Sequence, residues 1–324
     1  MNPLRVGVIG TGHMGLNHVR VYSELPTCEL TALYDRDPAA AQHAARKFKT
    51  TAVASLEEFA DQIDAATVCA PTVAHYEIGK FLLARGKHLL IEKPLAENSA
   101  HAHELAAIAT ANGCVLQVGH IERFNPTLTA LESKLKNPRF LEVTRLSPFP
   151  NRSTDIGVVM DLMIHDIEII LHLVRSPIVS MDCVGIAVLS RGEDIANVRF
   201  RFENGCVANV TASRVSTDRL RKIRVFQEDA YLSLDYQKQD GVMYRVADGK
   251  IVREKVPVEK GEPLRNQLAS FIDCARGGLQ PKVSGREAAA ALDIALDITR
   301  QIEAADPRKD RELPKFQIPS FLSA

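Results

Sequence analysis

The sequence predicts an α/β protein of two domains: a doubly wound parallel sheet, then an α+β domain with a mostly antiparallel, open sheet. Its 324 residues exceed the usual size of one domain. Up to about residue 120, short and almost continuously apolar segments alternate with amphipathic ones, as in a parallel sheet that helices cover on both faces. Beyond that point, apolar and polar residues alternate at period two. We therefore divide the chain into residues 1–122 and 123–324.

The first domain consists of strands and helices in alternation. Its predicted strands are residues 4–9, 29–34, 65–69, 88–91 and 115–118. Its predicted helices are residues 13–25, 38–48, 74–84 and 99–111. Because parallel strands end at the same edge of a sheet, we expect ligands to bind at the carboxyl ends of these strands.

The second domain is predicted to contain hairpins and three helices. Asn204-Gly205 separates the alternating residues 198–202 from the β-rich residues 206–213, which predicts a two-residue turn with positive φ at both positions. Further strands are predicted at 222–227, 230–235 and 242–246, and helices at 157–174, 263–276 and 285–304. The apolar tail at 314–324 is either an arm that docks on another subunit or a frayed terminus.

Composition narrows the class of protein. Basic and acidic residues number 40 each, and this balance argues against a nucleic-acid or anionic-membrane binder. The six cysteines have no Cys-x-x-Cys spacing, and His101 and His103 do not share a helical face, so we expect no metal. No apolar run approaches the roughly 20 residues of a membrane span, and residues 4–10 lack the features of a signal peptide. We expect a soluble, cytoplasmic protein with free thiols.

A glycine-rich turn follows the first strand. It matches the G-x-G-x-x-G pattern with Gly10, Thr11, Gly12, His13, Met14 and Gly15. The first glycine allows a tight turn, the second a close approach of the pyrophosphate, and the third close packing of helix on strand. The helix N-terminus offers free N–H groups to phosphates. The turn predicts a Rossmann domain that binds a dinucleotide; FAD, S-adenosylmethionine or no nucleotide are the alternatives.

The acidic residue that accompanies this pattern is Asp35, at the end of the second strand. We expect it to accept hydrogen bonds from the adenosine ribose. A carboxylate there repels a 2′-phosphate, which favours NAD over NADP. Arg36 could stack on the adenine or tolerate the phosphate.

Two further strand ends carry polar groups to the same edge. The residues that we expect to contact the cofactor there are Ala70, Thr72, His75, Glu92 and Lys93. Lys93 lies just before Pro94, where the nicotinamide is expected, although a surface lysine is an equal alternative from position alone.

The predicted helix 157–174 is largely apolar. Its polar residues Asp161, His165, Glu168 and His172 are spaced four, three and four apart and so share one helical face. These residues either form a solvent-exposed polar stripe on an otherwise buried helix or belong to a functional site.

Taken together, the glycine turn, Glu92-Lys93-Pro94, Asp161-x-x-x-His165 and the domain order resemble the glucose–fructose oxidoreductase/inositol dehydrogenase/MocA family over nearly the whole chain. The resemblance implies an NAD(P)-dependent oxidoreductase that acts on CH–OH groups of sugars, and a homodimer or homotetramer. It implies that Lys93 is the active-site lysine and that Asp161 and His165 join it. Two departures are Met163, where the family usually has a small residue, and Glu168, where it usually has Asp.

This resemblance suggests roles for the three residues. Neutral His165 suits a general base near pH 7, and a cationic Lys93 would stabilise the developing alkoxide. The two roles could be exchanged, because a desolvated lysine also acts as a base. Asp161 would orient His165 or bind a substrate hydroxyl.

Residues 119–126, 212–214 and 225–236 are similar to the UDP-N-acetylglucosamine 3-dehydrogenase branch of the family. That branch makes a 3-keto sugar nucleotide, which a partner aminotransferase converts to an amino sugar for lipid A. The expected substrate-binding residues are His120, Arg123, Asn125, Arg152, Asp161 and His165, with Arg214 and Arg219 as further diphosphate candidates. His120 and Asn125 could equally cap the next helix. The alternatives are a dehydrogenase of a free sugar or inositol, and a catalytically silent dinucleotide-sensing regulator.

Overall fold

The computed structural model describes residues 3–149 and 156–306, which fall into two compact units. The first unit runs to Phe124 and also takes in Glu262–Leu292, whereas the second holds Asn125–Gly261 and continues from Asp293. The predicted boundary near residue 122 is thus close to the observed one. The assignment of residues 262–292 to the second domain is wrong, because the helix there packs on the first unit. Arg152 and the tail 314–324 lie outside the described residues.

The first unit is built on a six-stranded parallel sheet, which confirms the predicted fold class. Its strands are β1 Leu4–Ile9, β2 Cys28–Tyr34, β3 Thr51–Ala52, β4 Ala65–Val68, β5 His88–Ile91 and β6 Leu116–Val118. Its first helices are α1 His13–Glu24, α2 Pro38–Phe48, α3 Leu56–Gln62, α4 His75–Leu83 and α5 Ser99–Ala111. The strand order β3-β2-β1-β4-β5-β6 reverses direction between β1 and β4, which is where such sheets bind ligands. The short β3 and α3 were not predicted.

A helix from late in the chain completes the core of this unit. In α8 (Pro263–Gly277), Leu264, Leu268 and Phe271 are buried in one cluster with Val19 and Tyr22 of α1. The apolar spacing of four and three residues predicts a helix with one buried face. It carries no information about which sheet that face covers, and this explains the wrong domain assignment.

The second unit contains an eight-stranded sheet, open and mostly antiparallel as predicted. Its strands are β7 Pro138–Leu146, β8 Ile178–Ile186, β9 Ile195–Phe202, β10 Val207–Ser213, β11 Leu220–Gln227, β12 Ala230–Asp235, β13 Asp240–Ala247 and β14 Lys250–Lys255. Its helices are α6 Pro126–Glu132 and α7 Ile164–Val174, and the last helix, α9 Gly285–Ala305, has residues in both units. The order is β14-β13-β12-β11-β7-β10-β9-β8, in which only the β7–β10 pairing is parallel.

One face of this sheet is buried. Alternate residues of β9 are nearly inaccessible, among them Val198 and Phe200, and α7 lies against β7 and β10. The opposite face is open along β8, where Val184 and Ile186 are more than half exposed. None of the helices within 3–149 and 156–306 combines the length and apolar character of a bilayer crossing.

The hairpin between β9 and β10 is real, but its turn differs from the prediction. Only Gly205 has positive φ, and its N–H donates to the Phe202 carbonyl, while the Asn204 side chain accepts a hydrogen bond from Cys206 N–H. The loop is therefore one residue longer, with glycine at the left-handed position. In such a loop only the last position needs positive φ, and the Asn204 side chain stabilises the loop through Cys206 N–H.

Candidate active site

The glycine turn has the geometry that a dinucleotide pyrophosphate requires. Gly10 has φ +86°, and a Cβ on Gly15 would lie 1.8 Å from the Gly10 carbonyl oxygen. A Cβ built on Gly12 would meet no described atom within 4 Å, so the backbone is open there. His13 and Met14 then begin α1, whose first N–H groups receive no side-chain cap. The turn and the helix N-terminus thus fit the phosphates of NAD or NADP.

Asp35 is tied to this turn. Its Oδ2 accepts hydrogen bonds from Thr11 N–H at 2.6 Å and the Thr11 hydroxyl at 2.8 Å, and its Oδ1 accepts one from Asp37 N–H at 2.9 Å. Burial alone would raise the pKa of the Asp35 carboxyl, but these hydrogen bonds outweigh it, and the pKa is lowered. A fixed anion therefore stands at the end of β2, and the exposed Arg36 follows it.

His75 joins the segments that follow β4 and β5. Its Nε2 lies 2.8 Å from the Ala70 carbonyl oxygen and its Nδ1 2.9 Å from that of Pro94. Burial lowers the pKa of His75. The side chain is 1% exposed and so lies inside the unit, and the cofactor contact expected of His75 stays a prediction. Its contacts fix the backbone just after Lys93 and just before Thr72.

Glu92 also makes contacts within the first unit. Its Oε1 lies 3.2 Å from Nε2 of the fully buried His18, and its Oε2 accepts a hydrogen bond from Lys93 N–H at 3.3 Å. A Cβ on Gly119 would lie 2.6 Å from the Glu92 carboxyl carbon, so only glycine leaves room for this carboxylate. These contacts hold the backbone from which the partly exposed Lys93 side chain extends.

Lys93, His120 and Arg123 are close enough to interact electrostatically. Burial, together with the positive charges of Lys93 and Arg123, lowers the pKa of His120 to about 3. Arg123 is 4% exposed and donates to the Lys282 carbonyl at 3.1 Å. At neutral pH this part of the first unit therefore holds two cations and a neutral imidazole, of which Lys93 is partly exposed while His120 and Arg123 are buried. Such a group can bind hydroxyls and stabilise developing negative charge on oxygen.

Asp161 and His165 lie in the second unit, and both are partly exposed. The helix that carries them is not α-helical throughout: residues Val159–Met163 form a π-helix that continues into α7. The Ile164 N–H accordingly reaches back five residues to the Val159 carbonyl. Such segments are rare and occur often at functional sites.

The predicted single polar face of this helix is only partly confirmed. Glu168 is 2% exposed, and His172 Nε2 lies 2.7 Å from Glu132 Oε1 of α6. The wider π turn shifts Asp161 relative to the later residues, so a spacing count based on 3.6 residues per turn fails here. Asp161 and His165 are partly exposed, whereas Glu168 is buried, so the three do not share one accessible face.

Two other predicted contacts have different roles in the structure. Asn125 caps α6 through Thr127 N–H and donates to the Tyr236 carbonyl, both at 3.1 Å, which is the capping role that the sequence left open. Arg214 is fully buried and binds Asp194 Oδ1 at 2.9 Å. The expectation that Arg214 meets a diphosphate is therefore wrong in this arrangement, whereas Arg219 is exposed.

Two buried charged residues that contact the helix of Asp161 and His165 were not predicted. Arg145 of β7 makes two 2.7 Å hydrogen bonds to Asp166, and Glu193 accepts one from Val159 N–H at 3.1 Å. Arg145 could have been found, because it occupies an inward position after Leu141 and Val143 in an alternating strand. Glu193 gives no such signal, since it lies in a loop.

Comparisons with known proteins show which family the chain resembles. The description "Oxidoreductase family, NAD-binding Rossmann fold" matches residues 4–120, and "GFO/IDH/MocA C-terminal domain" matches residues 127–233. UDP-N-acetylglucosamine 3-dehydrogenase of Acidithiobacillus ferrooxidans is 33% identical over 93% of this chain and 98% of its own. A solved structure of that enzyme superposes with a TM-score of 0.89 at 31% identity, covering 94% and 99% of the two chains. Inositol 2-dehydrogenase of Rhizobium meliloti is 23% identical over 92% and 97%.

The two matches cover most of the chain in the order that the sequence resemblance implied, and the first unit has the turn and helix that bind NAD(P). The chain therefore belongs to the GFO/IDH/MocA family of NAD(P)-dependent oxidoreductases, which act on sugar hydroxyls.

Proposed function

We propose that the protein oxidises a hydroxyl of a sugar nucleotide to a ketone with NAD, and that its substrate is UDP-N-acetylglucosamine, oxidised at position 3. The observation that carries the proposal is the partly exposed Lys93 held beside neutral His120 and Arg123 at the carboxyl edge of the first unit's sheet. The end-to-end similarity to UDP-N-acetylglucosamine 3-dehydrogenase supports the choice of substrate.

The proposed chemistry assigns one task to each group. When bound, the nicotinamide accepts the hydride from the alcohol carbon. Lys93 stabilises the alkoxide as the hydroxyl loses its proton, and His165 takes up that proton. Asp161 orients His165 or binds a neighbouring hydroxyl. Exchanging the roles of Lys93 and His165 would leave the overall reaction the same.

The cofactor preference rests on Asp35. Its lowered pKa keeps it anionic at neutral pH, and its hydrogen bonds to Thr11 prevent it from turning away. A 2′-phosphate would approach a fixed negative charge, so we propose NAD over NADP. Thr72 and Glu92 remain proposed cofactor contacts, with Ala70 beside them.

The proposed substrate contacts are His120, Arg123 and Arg152, together with Asp161 and His165. A neutral imidazole both donates and accepts, which suits a sugar hydroxyl, and a guanidinium suits a diphosphate. The 3-keto product would pass to an aminotransferase on the way to an amino sugar of lipid A. We further propose a cytoplasmic homodimer or homotetramer.

The test is an assay of the purified protein with NAD or NADP and a panel of UDP-sugars, free sugars and inositols. Absorbance of the reduced cofactor reports turnover, and an aminotransferase or a carbonyl trap removes an equilibrium-limited ketone. We expect UDP-N-acetylglucosamine with NAD to give the highest kcat/KM. Turnover of inositol instead would support the second candidate, which the inositol 2-dehydrogenase relative favours. Cofactor binding without any turnover would support the regulator.

A further inference from the structure

The chain segment that carries Asp161 and His165 is held from outside by three buried charged residues of the second unit. Arg214 Nη1 donates to the Ile156 carbonyl at 2.7 Å, where the segment begins. Glu193 Oε1 accepts from Val159 N–H at 3.1 Å, and Arg145 holds Asp166 beyond the π-helix. The contacts thus fall before, at the start of, and after the residues with the proposed catalytic roles.

Glu193 holds the residue at which the π-helix begins. Glu193 is 6% exposed. Its main-chain carbonyl accepts a hydrogen bond from Val158 N–H at 2.8 Å, and its carboxylate accepts one from Val159 N–H. Val158 cannot supply a side-chain cap of its own. One residue therefore satisfies two successive N–H groups at the start of the helix.

Gly157 is fitted to this carboxylate. A Cβ on Gly157 would lie 2.0 Å from Glu193 Oε1, a distance that real Cβ atoms do not reach. Glycine at position 157 is therefore required as long as Glu193 occupies this place. The missing side chain at Gly157 and the Glu193 carboxylate therefore fit each other, and this contact fixes the backbone at the start of the helix.

Other charges face the carboxylate. Burial raises the pKa of Glu193, the positive charge of Arg214 acts in the opposite direction, and Glu303 of α9 raises the pKa further. Arg214 is itself bonded to Asp194, so it does not form the main ion pair of Glu193. The hydrogen bond to Val159 is the direct link from Glu193 to the helix.

We propose that Glu193 is a positioning residue, which by holding Val159 N–H keeps the chain in its π register and so sets the places of Asp161 and His165. The inference rests on the proposed function, in which those two side chains act on the substrate. A π turn is less favourable than an α turn and needs support from its surroundings. Relaxation to an α-helix would rotate the residues that precede the π-helix by about 100° about the helix axis relative to α7, because each residue turns an α-helix by that angle, and Asp161, inside the π-helix, would turn by part of it.

The test compares four variants with one control. Glu193→Ala removes the acceptor, Glu193→Asp withdraws it by one methylene, and Glu193→Gln keeps an acceptor oxygen at the same reach. Gly157→Ala displaces the carboxylate while leaving Glu193 in place. Glu303→Gln is the matched control, because this exposed carboxylate faces Glu193 electrostatically.

Two readouts separate this proposal from the proposed function. The first is the NMR signal of the His165 imidazole in histidine-labelled protein, assigned with His165→Asn, which requires no turnover. The second is kcat against KM for the substrate that the panel identifies, with NADH binding measured by fluorescence.

We expect the His165 signal to shift in Glu193→Ala, Glu193→Asp and Gly157→Ala, and to stay in place in Glu193→Gln and Glu303→Gln. The kcat should fall about 10- to 100-fold in the first three, with NADH affinity within about twofold, because misplaced groups slow the reaction without touching the cofactor. If Glu193→Ala does not fold, Glu193→Asp and Gly157→Ala carry the test. An unmoved His165 signal in folded Glu193→Asp and Gly157→Ala overturns the proposal. Absence of turnover in the wild type overturns the proposed function alone.

Discussion

At the scale of single residues, burial, hydrogen bonds and neighbouring charges decide which groups of the first unit are charged. His120 is kept neutral by burial and by its two cationic neighbours, and Asp35 is kept anionic by hydrogen bonds from the glycine turn. These opposite outcomes follow from one rule: a buried group takes the state that its hydrogen bonds and neighbouring charges can stabilise.

The role proposed for Lys93 predicts the effect of its removal. Lys93→Met keeps the length of the side chain but loses the cation, so kcat should fall by about 10²-fold or more. NAD affinity, measured by fluorescence titration of the reduced cofactor, should change little, because the phosphates bind at the glycine turn. Lys250→Met, at an exposed position of β14, is the control and should have wild-type turnover. Near-normal kcat in Lys93→Met would exclude the role.

His120 predicts a pH-dependent stability. Its folded pKa of about 3 lies below the value of about 6.5 expected in the unfolded chain, so the unfolded state takes up the proton first as pH falls. Its stabilising contribution is therefore complete above about pH 6.5 and declines as pH falls toward about 3.

The unfolding free energy should fall between about pH 7 and pH 4 in both proteins. In His120→Asn this decrease, measured by urea denaturation, should be smaller than in the wild type by about 3 kcal/mol. His43→Asn, on the exposed side of α2, is the control and should follow the wild-type curve. An identical pH dependence in His120→Asn would contradict a buried neutral imidazole.

At the scale of elements, the π-helix before α7 is the feature that simple periodicity missed. The sequence predicts one continuous helix over 157–174, and the helix is present, but its first turn is wider. The difference is set by contacts from other parts of the second unit. Arg145 and Glu193 reach the helix from β7 and from the loop before β9.

The Arg145–Asp166 pair should be important for stability, because both side chains are at most 4% exposed and bonded twice. Removing one partner leaves an uncompensated buried charge, so Arg145→Met should lower the unfolding free energy by about 3–5 kcal/mol. The exposed pair Arg245–Glu254 provides the comparison, and Arg245→Met should cost below about 1 kcal/mol. Denaturant titration measures both. Equal effects in the two variants would show that burial does not govern the Arg145 contact.

At the scale of the whole molecule, the first unit is discontinuous in sequence. It needs α8, which follows the second unit's sheet in the chain and covers α1 with Leu264, Leu268 and Phe271. A Rossmann sheet with an uncovered helix face would expose apolar surface to water, and α8 removes that cost.

Phe271 tests this arrangement, because it is fully buried in the cluster with α1. Phe271→Ala should lower the unfolding free energy by about 3–5 kcal/mol, and NADH affinity measured in the same samples should fall when the first unit begins to unfold. Leu279→Ala, where the side chain is 59% exposed, should cost below about 0.5 kcal/mol. A small effect of Phe271→Ala would argue that α8 is not part of this core.

Several features were determined by the sequence alone. The sequence predicts the parallel and antiparallel sheets, the glycine turn, the place of Asp35 and the family. Each of these depends on residues that are adjacent or regularly spaced. Local backbone preference and apolar periodicity are properties of short segments, and they survive folding when tertiary contacts agree with them.

Other features were decided only by the tertiary structure. The assignment of α8 to the first unit, the π turn at Asp161, the neutral state of His120 and the interior position of Arg214 each depend on residues far apart in the chain. Burial, charge and the support of an unfavourable turn arise from neighbours that only the folded chain brings together. A one-dimensional pattern can therefore indicate that these residues are polar or apolar, but the three-dimensional contacts determine what they do.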